Sequence, residues 1–254
     1  EDLAGGLSRC RLAWALARGD LTHRYRGSIL GPLWLTLSTA VMLGALGFLY
    51  AKLFRMDVTE YLPWLTVSLI VWGVVNQVVT DATTSLTGAE GVIRQMPLPY
   101  SVHALRVVMR NALIAAHNLP LIFVVFAIYG ITPSWMALLA IPGFVLMAVS
   151  GFAAAIFLGM ACARFRDIPP IIASIMQIAF FVSAVIWKPE MVGHWQPFMP
   201  LNPVFAVMET VCSPLMGHSG GAIVWIAAFV WTGILVTAAW AFFVRFRGRI
   251  AFWV

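Results

Sequence analysis

The 254 residues are 61% hydrophobic and only 10% charged, with a mean hydropathy of +0.91. A soluble domain is about 45–50% apolar and about 25% charged, so this chain has too little charge to solvate a globule and reads as a polytopic membrane protein; a disordered tail, a disulfide-rich secreted module and an ordinary cytosolic enzyme are excluded. The net charge of +6 follows the edges of apolar runs and is not a nucleic-acid patch, and Cys10, Cys162 and Cys212 have neither metal spacing nor the pattern of a disulfide framework.

Residues 1–32 carry five arginines ahead of the first apolar run, which is not the layout of a signal peptide. Leu12 and Leu16 share a helical face while Arg11 and Arg18 can reach headgroups, so this region is expected to be an amphipathic interfacial helix. The remainder, 33–254, is expected to be one all-α transmembrane domain. Its spans are found in the gaps between charges. Arg26 to Lys52 encloses 25 uncharged residues, Glu60 to Asp81 encloses 20, Arg110 to Arg164 encloses 53, and Asp167 to Lys188 encloses 20. At about 1.5 Å per residue the 53-residue run crosses a hydrocarbon core of about 30 Å twice, with Gly130, Pro133 and Ser134 as the turn. The last apolar run is interrupted by Pro214 and the glycines of 217–221. Six spans result: 33–53, 62–80, 111–129, 135–162, 169–187 and 222–244.

With a cytoplasmic N-terminus, 13 of the 16 basic residues fall inside and only Lys52, Arg55 and Lys188 outside, so the positive-inside rule places both termini in the cytoplasm. Segment 81–109 is then the largest cytoplasmic loop and 163–168 a tight basic turn. Segment 188–221 is extracytoplasmic and rich in proline and aromatics, suited to a surface loop or to short helices that dip back. No internal repeat supports an inverted-repeat carrier.

The chain has two lysines, and neither lies in a G-K-[ST] motif, so it has no phosphate-binding loop. No acidic residue falls inside a predicted span, which weighs against an ion-coupled carrier. Gly217-His218-Ser219-Gly220-Gly221 fits G-x-S-x-G, but Ser219 needs a base from another helix, and His117 is the only deep histidine; a glycine-rich turn is the simpler reading. His117-Asn118 and Asn76-Gln77 read as interhelical hydrogen-bonding groups or as substrate ligands. Gly151, Ala155, Gly159 and Ala163 form a small-residue seam for close helix packing. Two stripes mix polar and aromatic residues: Trp34, Ser38, Ala45 and Phe48 in the first span, and Ser174, Gln177 and Phe181 in the fifth, with Trp187 at its end. Such a face suits an amphipathic polymer such as a glycan; core packing is the alternative for each residue.

These residues carry a resemblance. Asp20-Leu-Thr-His-Arg-Tyr-Arg-Gly-Ser-Ile-Leu-Gly-Pro-Leu-Trp34, Gly88-Ala-Glu-Gly-Val-Ile-Arg-Gln-Met-Pro-Leu-Pro99, Arg164-Phe-Arg-Asp-Ile168, Leu201-Asn-Pro203 and the basic tail 245–250 resemble the permease subunits of ABC transporters that export polysaccharides of the O-antigen, capsule or teichoic-acid type. Where many members carry Glu/Gln-Pro in the first span, this chain has Ser38-Thr39.

The resemblance implies a homodimer in a bacterial inner membrane, paired with two copies of a separate ATPase that holds ATP and magnesium. This chain itself would be no enzyme and would bind no cofactor or metal. It implies ATPase coupling through Glu90, Arg94, Gln95, Pro97, Leu98 and Pro99, and through Arg164, Arg166 and Asp167. Arg24, Tyr25, Arg26 and Gly31 would form the interfacial helix and gate. A lipid-linked glycan would pass along Trp34, Ser38, Phe48, Ser174, Gln177, Phe181 and Trp187, and leave past short extracytoplasmic helices carrying Trp195, Asn202 and Pro203. Competing readings are a permease for a smaller lipid or drug, an intramembrane serine protease using Ser219, and a passive channel.

Overall fold

In the computed structural model, residues 2–24, 26, 31, 33–96 and 98–254 are described. Among them every regular element is helical. In chain order these are α1 (Asp2–Ser8), α2 (Cys10–Arg24), α3 (Leu33–Phe54), α4 (Val58–Thr83), α5 (Glu90–Gln95), α6 (Tyr100–Ile128), α7 (Ala140–Arg164), α8 (Ile168–Val182), α9 (Pro203–Leu215), α10 (Ala222–Phe246) and α11 (Ile250–Trp253). Short 3-10 segments cover Trp135–Leu139 and Pro189–Leu201. Among the described residues, five helical stretches are long and apolar enough to cross a membrane: Leu33–Phe54, Val58–Thr83, Tyr100–Ile128, Trp135–Arg164 and Ala222–Trp253.

Most predicted spans lie within observed helices, but two boundaries move. The third was expected to begin at residue 111, and α6 begins at Tyr100. Asp81, expected in a loop, lies inside α4, and Arg106 and Arg110 lie inside α6. These charges neutralise one another, so they do not end their helices.

The fifth was expected over 169–187. Its helix, α8, has 15 residues, a length of about 22 Å against a hydrocarbon core of about 30 Å. The chain then unwinds, with Ala184 at φ +54°. Backbone carbonyls freed inside an apolar core need donors. Tyr61 Oη donates to Ile186 O (2.5 Å) and Ser68 Oγ to Ala184 O (3.4 Å), both from α4, and Ser183 to Ile186 are buried.

The core is organised around α4, which packs on α3, α6, α7, α8 and α9. The small-residue seam of α7 makes its close approaches possible. A Cβ on Gly151 would stand 2.7 Å from Val78, and one on Gly159 would stand 2.1 Å from Ser85 Oγ. Ser85 Oγ donates to Ala155 O (2.8 Å) across that contact. Nearer the start of α7, Gly143 lies against the Thr210 carbonyl of α9. Helix α10 closes against α7 and α9, with Ser150 and Thr232 hydroxyls 2.8 Å apart.

Both termini lie at one end of the bundle. Asp2 accepts from the Tyr100 and Ser101 backbone N–H groups (3.0 and 3.1 Å), so α1 caps α6 from outside. Gly6 packs against Ser101 there. At the same end Arg94 donates to Val254 O (2.9 Å). Segments 55–57, 129–134 and 183–221 form the other end.

Candidate functional site

At the termini end, α5 presents Glu90 and Arg94 as an i, i+4 ion pair at 2.8 Å, with both side chains largely exposed. Gln95 is exposed beside them, and Leu98 and Pro99 lead into α6, with Pro99 close to Gly5 of α1. Pro97 and Tyr25 lie outside the described residues, as does the side chain of Arg24. The turn after α7 exposes Arg164, Phe165, Arg166 and Asp167, with the Arg164 guanidinium 5.4 Å from the Phe165 ring centroid. This end therefore offers two solvent-facing, mixed-charge segments that do not depend on the core for their charges.

Helix α2 meets this end along α6. Its buried row is Ala13, Ala17 and Leu21, while the expected Leu12 and Leu16 are only partly covered. The helix thus rests on protein through small side chains. Arg18, Arg26, Gly31 (φ +53°), Trp14 and His117 line a cavity of about 490 Å³ between α2 and α6.

A charge network joins three helices, and only two of its members, Asp81 and Arg110, were marked by the sequence, as span boundaries. Asp20 of α2 accepts from Arg106 through both carboxylate oxygens, one of the bonds at 2.7 Å, and from Arg110 Nη1 at 3.2 Å. Arg110 Nη2 reaches Asp81 of α4 at 2.7 Å. Asp81 also accepts from Asn111 (2.9 Å) and Gln77 (3.0 Å). Burial works against the Asp20 charge, but hydrogen bonds and attraction from Arg106, then Arg110, outweigh it and hold the carboxyl below its ordinary value of 3.8. The signal available beforehand was spacing: Arg106 and Arg110, like Gln77 and Asp81, are four apart and share a helical face.

The mixed stripes of α3 and α8 lie on unburied faces. Trp34, Ser38, Ala45 and Phe48 are exposed along α3, and Ser174, Gln177 and Phe181 along α8. On α3, the Ser38 and Thr39 hydroxyls both donate to the Leu35 carbonyl at 2.9 Å, so they are satisfied within the helix. Trp187 Nε1 folds back to donate to Phe181 O (2.8 Å). Both helices pack on α4.

At the far end, the Asn202 side chain accepts from Val204 N (3.0 Å) and Phe205 N (3.3 Å) and donates to Ser183 Oγ (2.9 Å). It therefore caps α9, with Pro203 at the first helical position, and ties it to the end of α8. Trp195 is exposed and lies against His194 and Phe198. A cavity of about 550 Å³ here is lined by Trp64, Glu190, Glu209, His218 and Ser219 among others.

Ser219 and His117 line separate cavities. His117 Nδ1 contacts the Leu113 carbonyl of its own helix (2.7 Å), and Ser219 uses its carbonyl to accept from Trp225 Nε1 (2.8 Å). No base reaches the Ser219 hydroxyl among the described residues, and 217–221 is the glycine turn before α10. Gln77 likewise bonds within α4 rather than across helices. No cluster of three or more metal-ligating side chains occurs among the described residues.

Residues 11–216 match the ABC-2 type transporter family. The chain belongs to that family. It is a multi-pass membrane transport subunit. It is also similar to proteins called O-antigen export system permease protein RfbA. One from Myxococcus xanthus is 24% identical over 200 residues, 77% of this chain and 76% of that protein. One from Klebsiella pneumoniae is 24% identical over 220 residues, 86% of this chain and 85% of its own length. A second from Klebsiella pneumoniae is 22% identical over 219 residues, covering 84% and 85%.

Proposed function

We propose that this chain is the permease of an ATP-driven exporter that moves a lipid-linked polysaccharide out of the cytoplasm across a bacterial inner membrane. The observation that carries the reading is the similarity to O-antigen export permeases over most of both chains. The exposed faces of α3 and α8 add to it. Ser174 bonds back to the Pro170 carbonyl (3.0 Å), but a monomer in lipid has no use for the Gln177 amide on an otherwise apolar face, whereas a second copy facing these helices would enclose a path with aromatic surfaces for sugar C–H faces and polar groups for sugar hydroxyls.

In this reading the unit is a homodimer with two ATPase subunits, which hold the ATP and magnesium. The chain crosses six times, 183–187 completing the fifth crossing beyond α8, with both termini cytoplasmic. ATP binding closes the ATPase pair. The motion enters through α2, α5 with Glu90, Arg94 and Gln95, and the Arg164–Asp167 turn. It reaches α3 and α8 through α4. The glycan passes Trp34, Phe48 and Phe181 and leaves beside 189–215.

Co-purification from the native host tests this. Capture of an ATPase in equal amount, with loss of surface polysaccharide on deletion, is the expected result. Loss of a lipid or drug export phenotype with intact polysaccharide would replace the substrate, and reproducible capture of no ATPase would overturn the reading.

A further inference from the structure

Asp20 is the only carboxylate on α2. It faces two guanidiniums that lie one turn apart on α6, and Arg110 is shared with Asp81 of α4. Three helices are therefore strung on one sequence of charges, Arg106–Asp20–Arg110–Asp81, whose side chains are only 14–22% exposed. The face that α2 packs closely on α6 is smooth, since two of its three buried hydrophobic residues are alanines. A smooth apolar contact lets a helix slide; fork-shaped guanidinium pairing fixes where it stops.

The network also has spare capacity. Arg110 Nε and Asn111 Oδ1 are buried with no partner among the described residues. These atoms give the cluster a spare donor and a spare acceptor, so its partners can be exchanged without recruiting any new group. Its far member sits on α4, the helix on which both α3 and α8 pack.

We propose that Asp20, Arg106, Arg110 and Asp81 form a latch that turns displacement of α2 into displacement of α6 and α4, and that Asp20 is a positioning residue for export. This rests on the exporter reading above. The latch predicts that α2 holds one position only while its charges are paired.

The test uses the full chain in nanodiscs, with Cys10, Cys162 and Cys212 replaced by alanine and spin labels at Ala15→Cys and Thr84→Cys, both exposed positions. The parent should give one narrow intrachain label distance, Asp20→Asn a broad distribution, and Asp20→Glu, which keeps a carboxylate between the two guanidiniums, a narrow one again. In the native host, surface polysaccharide per assembled permease–ATPase complex should fall about 5–150-fold in Asp20→Asn, the span of ordinary coupling energies, and recover in Asp20→Glu. If Asp20→Asn does not fold, Arg110→Lys replaces it: it keeps the charge and loses the fork that bridges Asp20 and Asp81, and should lower export in an assembled complex. A narrow distance in Asp20→Asn, normal export per complex in Asp20→Asn or Arg110→Lys, or an Asp20→Glu variant that restores the distance without restoring export would overturn the latch. Failure of the parent chain to capture an ATPase would instead overturn the exporter reading and the export role of Asp20 with it, while the label distances would still report whether the charges fix α2.

Discussion

Helices α3 and α4 are neighbours in the chain and nearly equal in hydropathy, yet 61% of α4's most apolar stretch is buried against 11% of α3's. In water such a difference would follow from apolarity. In lipid, tails are as apolar as leucine, and helices associate through close packing and hydrogen bonds. Helix α4 has what that requires: Ser68 and Tyr61 to donate across to 184–186, and Val78 and the following Ser85 to receive the glycine seam of α7. Helix α3 spends its Ser38 and Thr39 hydroxyls on its own backbone, sends one hydroxyl across, from Thr36 to the His117 carbonyl of α6 (2.9 Å), and brings Gly47 against Leu62. Burial here follows small and hydrogen-bonding residues.

The largest test of that contrast is a pair of glycine substitutions. Gly159→Leu forces a side chain into Ser85 and Leu86 and should cost about 3 kcal/mol, seen as a fall in the thermal midpoint of the solubilised protein. A Cβ on Gly44 of α3 meets nothing within 4 Å, and Gly44→Leu should stay within about 0.5 kcal/mol. Equal effects would break the comparison. A smaller loss, about 1 kcal/mol, is expected for Tyr61→Phe, which leaves the Ile186 carbonyl without its donor; protection of the Ser183–Trp187 backbone from hydrogen exchange should fall with it.

The charge network separates further by pH. Because the Asp20 carboxyl is held below 3.8 in the folded chain, its contribution is complete above that ordinary value and disappears as pH falls through the lower folded one. Release of α2 on acidification, followed by limited proteolysis, should be visible in the parent and absent in Asp20→Asn, in which α2 is already loose at neutral pH. The smallest effect on stability belongs to Trp34→Ala and Phe181→Ala. Both side chains are more than half exposed, and each change should move the midpoint by under about 0.5 kcal/mol while reducing export. Loss of folding or assembly would make them packing residues.

The all-helical architecture and the approximate place of every apolar run were legible because a run of uncharged residues long enough to cross has few other fates. The rule that found those runs also concealed the network. It treats each charge as the end of a span, and so it stopped short at Asp81 and Arg110. Paired charges do not stop a helix, and pairing between residues 20, 81, 106 and 110 depends on how helices are arranged, which no local window contains. The unwinding after Val182 was hidden for a related reason. Its sequence is as apolar as a helix, and only the donors on α4 make the irregular backbone tolerable. Of the proposed functional residues, the α3 and α8 stripes followed from helical phase alone. Asn202, expected at an exit, is a helix cap whose partners lie within its own turn and at Ser183.

The attachment of α1 and α2 also sets a schedule for biosynthesis. Asp2 and Asp20 leave the ribosome 98 and 86 residues ahead of the Tyr100 N–H and the Arg106 guanidinium they will bind. Until α6 has been delivered to the bilayer, the leading segment can only wait at the membrane surface, basic and weakly apolar. Its docking is therefore a late event, and a nascent chain whose first 24 residues resist a protease is one whose third long helix has already arrived.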